Sequence, residues 1–587
     1  MAVLRFSMFR FTSRLLLVPI AASALVLVHC ARTEPADIIF VNARVYTMGW
    51  NDPDGAGKSA VNAPHGKNGW HPDADALVVR RGEIVYAGDR PQAEQYRGRH
   101  TDIRDMQGAT ILPGLVDSHV HLAELGASIE RVNLVGAETE ADVVERVAER
   151  AAKVPKGEWI EGWGWDEGAW ASHYPDMTLL SQRVPGHPVM LRGLHSFAAW
   201  GNRLAFAKAK ITASTPSPEG GEIRKDAKGQ PTGILLNNAI SLLRDAMPPP
   251  APEVLENRLS KALQALSTAG YVAVQEAGAD TQLHAALERL RDAQKLPIRV
   301  SAMLAARDPK QLDEWIKRGP ETDESRMLVT RSVKAFYDGA MGSRGAFFLT
   351  DYDDKPGSHG MGGPEYGFDR ERMEAMMRAG FQIVVHAIGD RANREVLDLV
   401  EAVRREGPEK QDTRPRIEHA QVVSPSDIPR FRTLGVIASM QPSHAVEDMP
   451  WAETRIGPDR IKGAYAWRSL RQAGARLTFN SDLPATDYSI FYGLHSAVTR
   501  QDRAGQPSGG WRPEEKMTIE EALRGWTVWP AFAMFREKLT GTLMPGRWAD
   551  LTVFDIDPFQ IGDEHPGRLL TGHVVLTMVG GRIVYSK

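Results

Sequence analysis

Pro113-Gly114-Leu115-Val116-Asp117-Ser118-His119-Val120-His121 is the stretch from which the fold can be argued. Its apolar residues and the absence of a helical period make it a strand. Alternate residues of a strand share a face, so His119 and His121 look the same way and could grip one metal ion. An H-x-H spacing is weak by itself, because 17 histidines in 587 residues would produce one by chance in about every other chain of this size. Its position at the end of an apolar strand is more telling, since that is where barrel enzymes keep their chemistry.

Reading outward, strand and helix patterns alternate, which argues for a parallel sheet with crossover helices. Eight strands can be counted, over 111–121, 271–277, 298–304, 332–338, 382–386, 416–419, 436–441 and 476–482. Helical segments over 253–269, 370–378 and 391–405 lie between several of them. Eight such units close an α/β barrel, the (β/α)8 TIM barrel. About 130 residues separate the first strand from the helix at 253, far more than a usual βα loop. The sequence therefore predicts an inserted subdomain over 123–252 that covers the barrel mouth, with the barrel itself built from 109–122 and 253–537. Pro248-Pro249-Pro250 and Pro252 read as the rigid return linker.

The other strand ends repeat the theme. Strand five stops at Val385-His386, strand six at Glu418-His419 and strand eight at Ser481-Asp482. Any one of these histidines could be a hydrogen-bonded core residue. Three strands delivering His or Asp to one rim read instead as a catalytic constellation. Lys334 lies inside strand four, on the same face as Phe336 and Asp338. An unpaired ammonium there is costly, and both an ion pair with Asp338 and a Schiff-base role would account for it.

In this order, H-x-H, barrel lysine, His, His and Asp resemble the amidohydrolase superfamily. More closely the chain is similar to its amidohydrolase-3 branch of N-substituted formamide deformylase-like enzymes. The similarity runs through ILPGLVDSHVHL (111–122), GWGWD (162–166), GQPTGIL (229–235), VKAFYDGAMGSRGA (333–346), VVHAIGDRAN (384–393), RIEHAQ (416–421), FNSDLP (479–484) and MPGRWADLTVFD (544–555). It implies two divalent ions, with zinc suited best to all-N/O ligation. His119 and His121 would hold one and His386 and His419 the other. Lys334, carboxylated by CO2, would bridge them, and Asp482 would bind the first ion and handle the proton. The implied reaction is hydrolysis of a non-peptide C–N bond in a small molecule, with Asp482 and Lys334 as catalytic groups. Candidates for substrate contact are Trp165, Asp166 and His195 in the insertion and Asp338 and Arg344 after strand four. The tryptophans also read as core residues of the insertion, and Arg344 as a brace for its own loop.

At the chain ends, 36–48 and 76–88 have strand chemistry, as do 549–557 and 574–585. These predict a small β-sandwich domain made from both termini, 36–108 with 538–587. Between its first strands, 51–73 is rich in Gly, Asn, Asp and Pro and reads as a long mobile loop. Arg5, Arg10 and Arg14 before an uncharged apolar run over 15–28 read as an export signal over 1–30. The expected location is the periplasm or cell envelope. Cys30, the single cysteine, stands where a lipoprotein is acylated, but His29 departs from that pattern, so lipid attachment to a membrane and plain secretion both stand.

A net charge of −3 without any basic run gives nucleic-acid binding no electrostatic support. One cysteine excludes an intramolecular disulfide and a thiolate cluster. The partners left are a small-molecule substrate and a second copy of the chain in a homodimer. Ester or lactone hydrolysis and isomerisation would use the same metal site. A non-catalytic exported binding lipoprotein is the alternative outside enzymes, and it predicts damaged ligand positions where this chain has all six filled.

Overall fold

The chain is described from a computed structural model over residues 34–165, 174–193, 198–218, 221–407 and 412–587. The expected export signal, Cys30, Asp166 and His195 lie outside those residues. Among the described residues no helix is long and apolar enough to cross a membrane.

Every residue of Leu115–Val120 (β1) is buried, as a strand covered on both faces requires. It is followed in the same sheet by Tyr271–Ala279 (β2), Arg299–Ala305 (β3), Leu328–Phe336 (β4), Gln382–Ala387 (β5), Arg416–His419 (β6), Ile437–Met440 (β7) and Arg476–Phe479 (β8). All neighbouring pairs are parallel and in sequence order. The seam between β8 and β1 is held just past the end of β8. There the Asp482 N–H donates to His119 O at 3.1 Å and the His121 N–H to Leu483 O at 3.1 Å, and Val120 bridges Leu483 in parallel. The result is a nearly closed eight-stranded parallel barrel, the fold of a TIM-like hydrolase domain.

Three of the expected strands differ from their expected bounds. The first is divided at Gly114. Thr110–Pro113 leaves the barrel and pairs antiparallel with Leu551–Phe554, so residues 111–113 belong to the terminal sheet. A Cβ on Gly114 would lie 2.4 Å from Val272, and only glycine lets the chain pass β2 that closely. Strand eight stops at Phe479 rather than 482, and Asp338 likewise falls beyond the end of β4.

Both chain ends meet in a five-stranded sheet of Arg44–Val45, Thr110–Pro113, Leu551–Phe554, Val574–Val579 and Arg582–Ser586. It shares a core with a four-stranded sheet from residues 38–105, in which Phe40, Leu77 and Val79 pack with Val553, Leu576 and Met578. Residues 51–73, expected to be a mobile loop, are strapped to the barrel. Trp50 and Trp70 are buried. Arg524 donates to Asp52 at 2.6 Å and to Trp50 O at 2.8 Å, and the Trp50 indole N–H donates to Glu520 at 2.7 Å. Polar composition suggested exposure, but two tryptophans and a buried guanidinium fix the segment.

After β1, Leu122–Glu130 (α1) packs against Pro252–Thr268 (α2). A Cβ on Gly126 would sit 2.2 Å from Arg258 O, and Glu130 accepts from Arg258 and Lys261, both at 2.9 Å. This helix therefore belongs to the barrel, and the insertion begins after it rather than at 123. The intervening segment builds a six-stranded mixed sheet from Val132–Asn133 to Pro231–Asn237, with Trp165, Trp200, Leu191 and Val143 in its core.

Candidate active site

The seam contacts between Asp482 and His119 and between Leu483 and His121 gather the site. His119 is buried, and its Nδ1 lies 2.5 Å from Glu418 Oε2. Glu418 is held in turn by Arg416 Nε at 2.9 Å and Ser439 Oγ at 2.9 Å. The fully buried Arg416 also donates to Ser118 O at 2.9 Å. Nδ1–H therefore points to a carboxylate, and the lone pair of His119 sits on Nε2, 3.4 Å from Asp482 Oδ1. His121 Nε2 lies 3.4 Å from the same oxygen.

Strand alternation would turn His419 away from the face that carries Glu418. The backbone corrects this: His419 has φ +73° and Asp482 φ +55°, left-handed conformations that non-glycine residues rarely adopt and that cluster at functional sites. His419 thereby reaches a ring separation of 4.4 Å from His386 and 5.5 Å from His119. Its Nδ1 lies 3.0 Å from Gln441 Oε1, and Gln441 donates its amide N–H to Asn480 at 2.7 Å. This orients Gln441 so that its oxygen accepts from His419, again leaving Nε2 as the lone-pair nitrogen.

Lys334 Nζ lies 3.3 Å from His119 Nε2. His386 Nε2 is buried without a hydrogen-bond partner, 3.5 Å from Asp338 Oδ1. His444, on Pro442–Asp448 (α3), stacks on His419 at 6.0 Å and places Nε2 3.8 Å from Asp482 Oδ2. The structure thus brings together all six sequence-predicted groups and adds a seventh.

Burial pushes His119 down to about 4 and His419 down to about 3, and holds His386 well below the usual histidine value. At neutral pH these imidazoles are uncharged, the form that ligates a metal. Burial also pushes Lys334 down to about 8. For Asp482 burial opposes ionisation, but the surrounding His119, His121, His419 and His444 override it and hold the carboxyl well below the usual range. His119, His121 and Asp482, and likewise His419, His444 and Asp482, each offer ligand atoms within 4.8 Å of one another. Imidazole nitrogens around one ionised carboxylate, with a further orphaned imidazole nitrogen beside them, fit a divalent cation with N/O ligation.

Several expected substrate contacts are elsewhere. Trp165 is fully buried, donates its indole N–H to Leu191 O at 3.0 Å and meets Trp200 edge-on. Its size was read correctly as core and wrongly as a pocket wall; Trp163, 41 % exposed, lines a cavity instead. Arg344 forms a two-pronged pair with Asp354 at 3.0 and 2.8 Å and so braces its loop. Asp338 is buried and accepts the backbone N–H groups of Phe347, Ile388 and Gly389 at 2.8–3.0 Å. It ties the loop after β4 to the end of β5 and has no surface to offer a substrate. Sequence reasoning missed Glu418, although its place two residues after Arg416 in RIEH was a signal. It also missed His444, four residues beyond β7, and Gln441, the residue just after β7.

The ligating groups line a cavity of about 410 Å³, which shares Glu447, Ala485 and Thr486 with a cavity of about 890 Å³ against the inserted sheet. Residues 102–585 match the model of the amidohydrolase family. This chain belongs to that family. The amidohydrolase is 29 % identical over 582 residues to N-substituted formamide deformylase of Arthrobacter pascens, covering 94 % of this chain and 99 % of that one. It is also 29 % identical over 535 residues to Protein LONG AFTER FAR-RED 3 of Arabidopsis thaliana, covering 88 % and 89 %. Among solved structures it resembles an uncharacterized metal-dependent hydrolase of Pyrococcus horikoshii, with TM-score 0.71, 26 % identity, and coverage of 90 % and 99 %.

Proposed function

We propose that this amidohydrolase hydrolyses an amide-type, non-peptide C–N bond in a small molecule. Its ions would be held by His119, His121, His386, His419, Asp482 and a carboxylated Lys334. The observation that carries the reading is Asp482 at the seam, ionised in spite of its burial and 3.4 Å from both His119 and His121. When bound, divalent ions, zinc for preference, would acidify a water toward neutral pH and polarise the scissile carbonyl.

Asp482 takes the proton of the attacking water and returns it to the leaving nitrogen as the C–N bond breaks. Glu418, kept anionic by Arg416 and His119 against the effect of burial, holds His119 in the tautomer that presents Nε2. Lys334, with its lowered basicity, supplies a neutral amine that adds CO2 and releases a proton, giving an anionic carbamate where a buried cation would otherwise stand. The inserted sheet covers the mouth, and the two terminal sheets form a small sandwich at the barrel's side. Residues 1–30 direct export, and similarity to the deformylase favours amide over ester substrates.

The test is metal analysis of the purified protein alongside hydrolysis of paired amide, ester and lactone substrates. Bound divalent ions, loss of turnover on chelation and preference for amides are expected. A metal-free protein, or His119→Ala with unaltered turnover, would sink the proposal.

A further inference from the structure

Glu447 stands where the two cavities meet. It lies on α3, three residues after His444, and is exposed within the lining that the two cavities share. Among the described residues no group forms a hydrogen bond or ion pair with its carboxylate. Its acidic neighbours are already engaged. Asp448 accepts from Tyr465 at 2.6 Å and Gln421 at 2.8 Å, and Asp487 pairs with Arg503. An unpaired carboxylate at the junction of two cavities is complemented best by a cation.

The larger cavity is also lined by Arg131, Arg192 and Arg244. Arg131 pairs with Glu161 at 3.4 Å and Arg244 with Asp245 at 3.0 Å. A substrate cation would meet like charge at these guanidinium groups and an unpaired opposite charge at the neck. Its favoured place is therefore beside Glu447, close to the metal-binding residues.

Resting on the amide-hydrolase reading above, we propose that Glu447 is a specificity residue for substrates carrying an ammonium or guanidinium group near the scissile amide. The cation pairs with Glu447 at the neck, and the rest of the substrate extends into the larger cavity.

Three probes with the same four-carbon chain test this on the zinc-loaded full chain: N-acetylputrescine (cationic), N-butylacetamide (neutral) and N-acetyl-γ-aminobutyrate (anionic). Wild type should favour the cationic probe over the neutral one in kcat/KM. In Glu447→Gln that ratio should fall by about tenfold or more, chiefly through KM, as expected for a lost charge-assisted hydrogen bond. Calorimetric binding of the same probes to both proteins reads the preference without turnover. Equal or anionic preference in wild type, or a ratio that Glu447→Gln leaves unchanged, overturns the proposal. Cation-selective binding lost in Glu447→Gln, with none of the probes hydrolysed, would sustain the role of Glu447 and count against the amide reaction alone.

Discussion

The barrel rim and the inserted sheet bury large side chains for opposite reasons. At the rim, Lys334, Arg416, Glu418, His119, His386 and His419 are all buried; ionisable groups are taken out of water and, His386 Nε2 apart, hydrogen-bonded within the site. The inserted sheet buries Trp165, Trp200, Leu191 and Val143, and its stability comes from apolar area. Desolvation works against charge at the rim and shapes the protonation of its imidazoles and carboxylates, whereas in the insertion it simply stabilises packing. One region is built to hold a charge distribution, the other to hold a shape.

The sharpest break of this contrast is Asp482→Asn. The amide keeps the volume but cannot accept the proton, so kcat should drop about 10²–10⁴-fold, measured in metal-loaded enzyme, with little change in thermal unfolding. A comparable loss of stability instead would mean that the rim carries shape as well. Trp200→Ala probes the other side. Removing this fully buried ring should destabilise the insertion by about 3–5 kcal/mol, read by denaturant unfolding, while bound metal is retained. Loss of metal together with the tryptophan would show that the two regions are not separable.

Within the rim, Glu418→Gln removes the carboxylate that orients His119. Metal affinity should weaken about 10–100-fold, followed by competition with a chelating dye; unaltered affinity would reduce Glu418 to packing. The smallest effect concerns Glu276, which burial pushes up to about 7 and which accepts the Leu122 N–H at 2.7 Å. Its folded value lies above its unfolded one, so its contribution to stability is fully present below about 4 and is lost as pH rises through about 7. The unfolding midpoint of chelator-treated protein should fall over that window, and the fall should be shallower in Glu276→Gln. Parallel slopes in the two proteins would assign the trend to other groups.

Much of this was legible along the chain. Alternation in Asp117-Ser118-His119-Val120-His121 put both histidines on one face, and the ends of β5 and β6 announced His386 and His419. Where the reading missed, long-range contact had overridden local pattern. Residues 51–73 looked mobile because no local signal shows that Arg524 and Glu520, some 470 positions away in sequence, fasten them. Trp165 and Arg344 were assigned to substrate by type, but side-chain type does not reveal that Trp200 and Asp354 already occupy them. Glu418 and His444 went unseen because neither shows its function until its neighbours are in place.

The order of strand-end ligands and the period of the strands were therefore set by the sequence itself, since both depend on residues close together in the chain. The joining of β8 to β1, the left-handed turns at His419 and Asp482 and the fastening of His119 by Glu418 were decided by tertiary structure alone. Their energies come from burial and from partners about 300 or more residues away, and desolvation of that kind exists only once the barrel has closed.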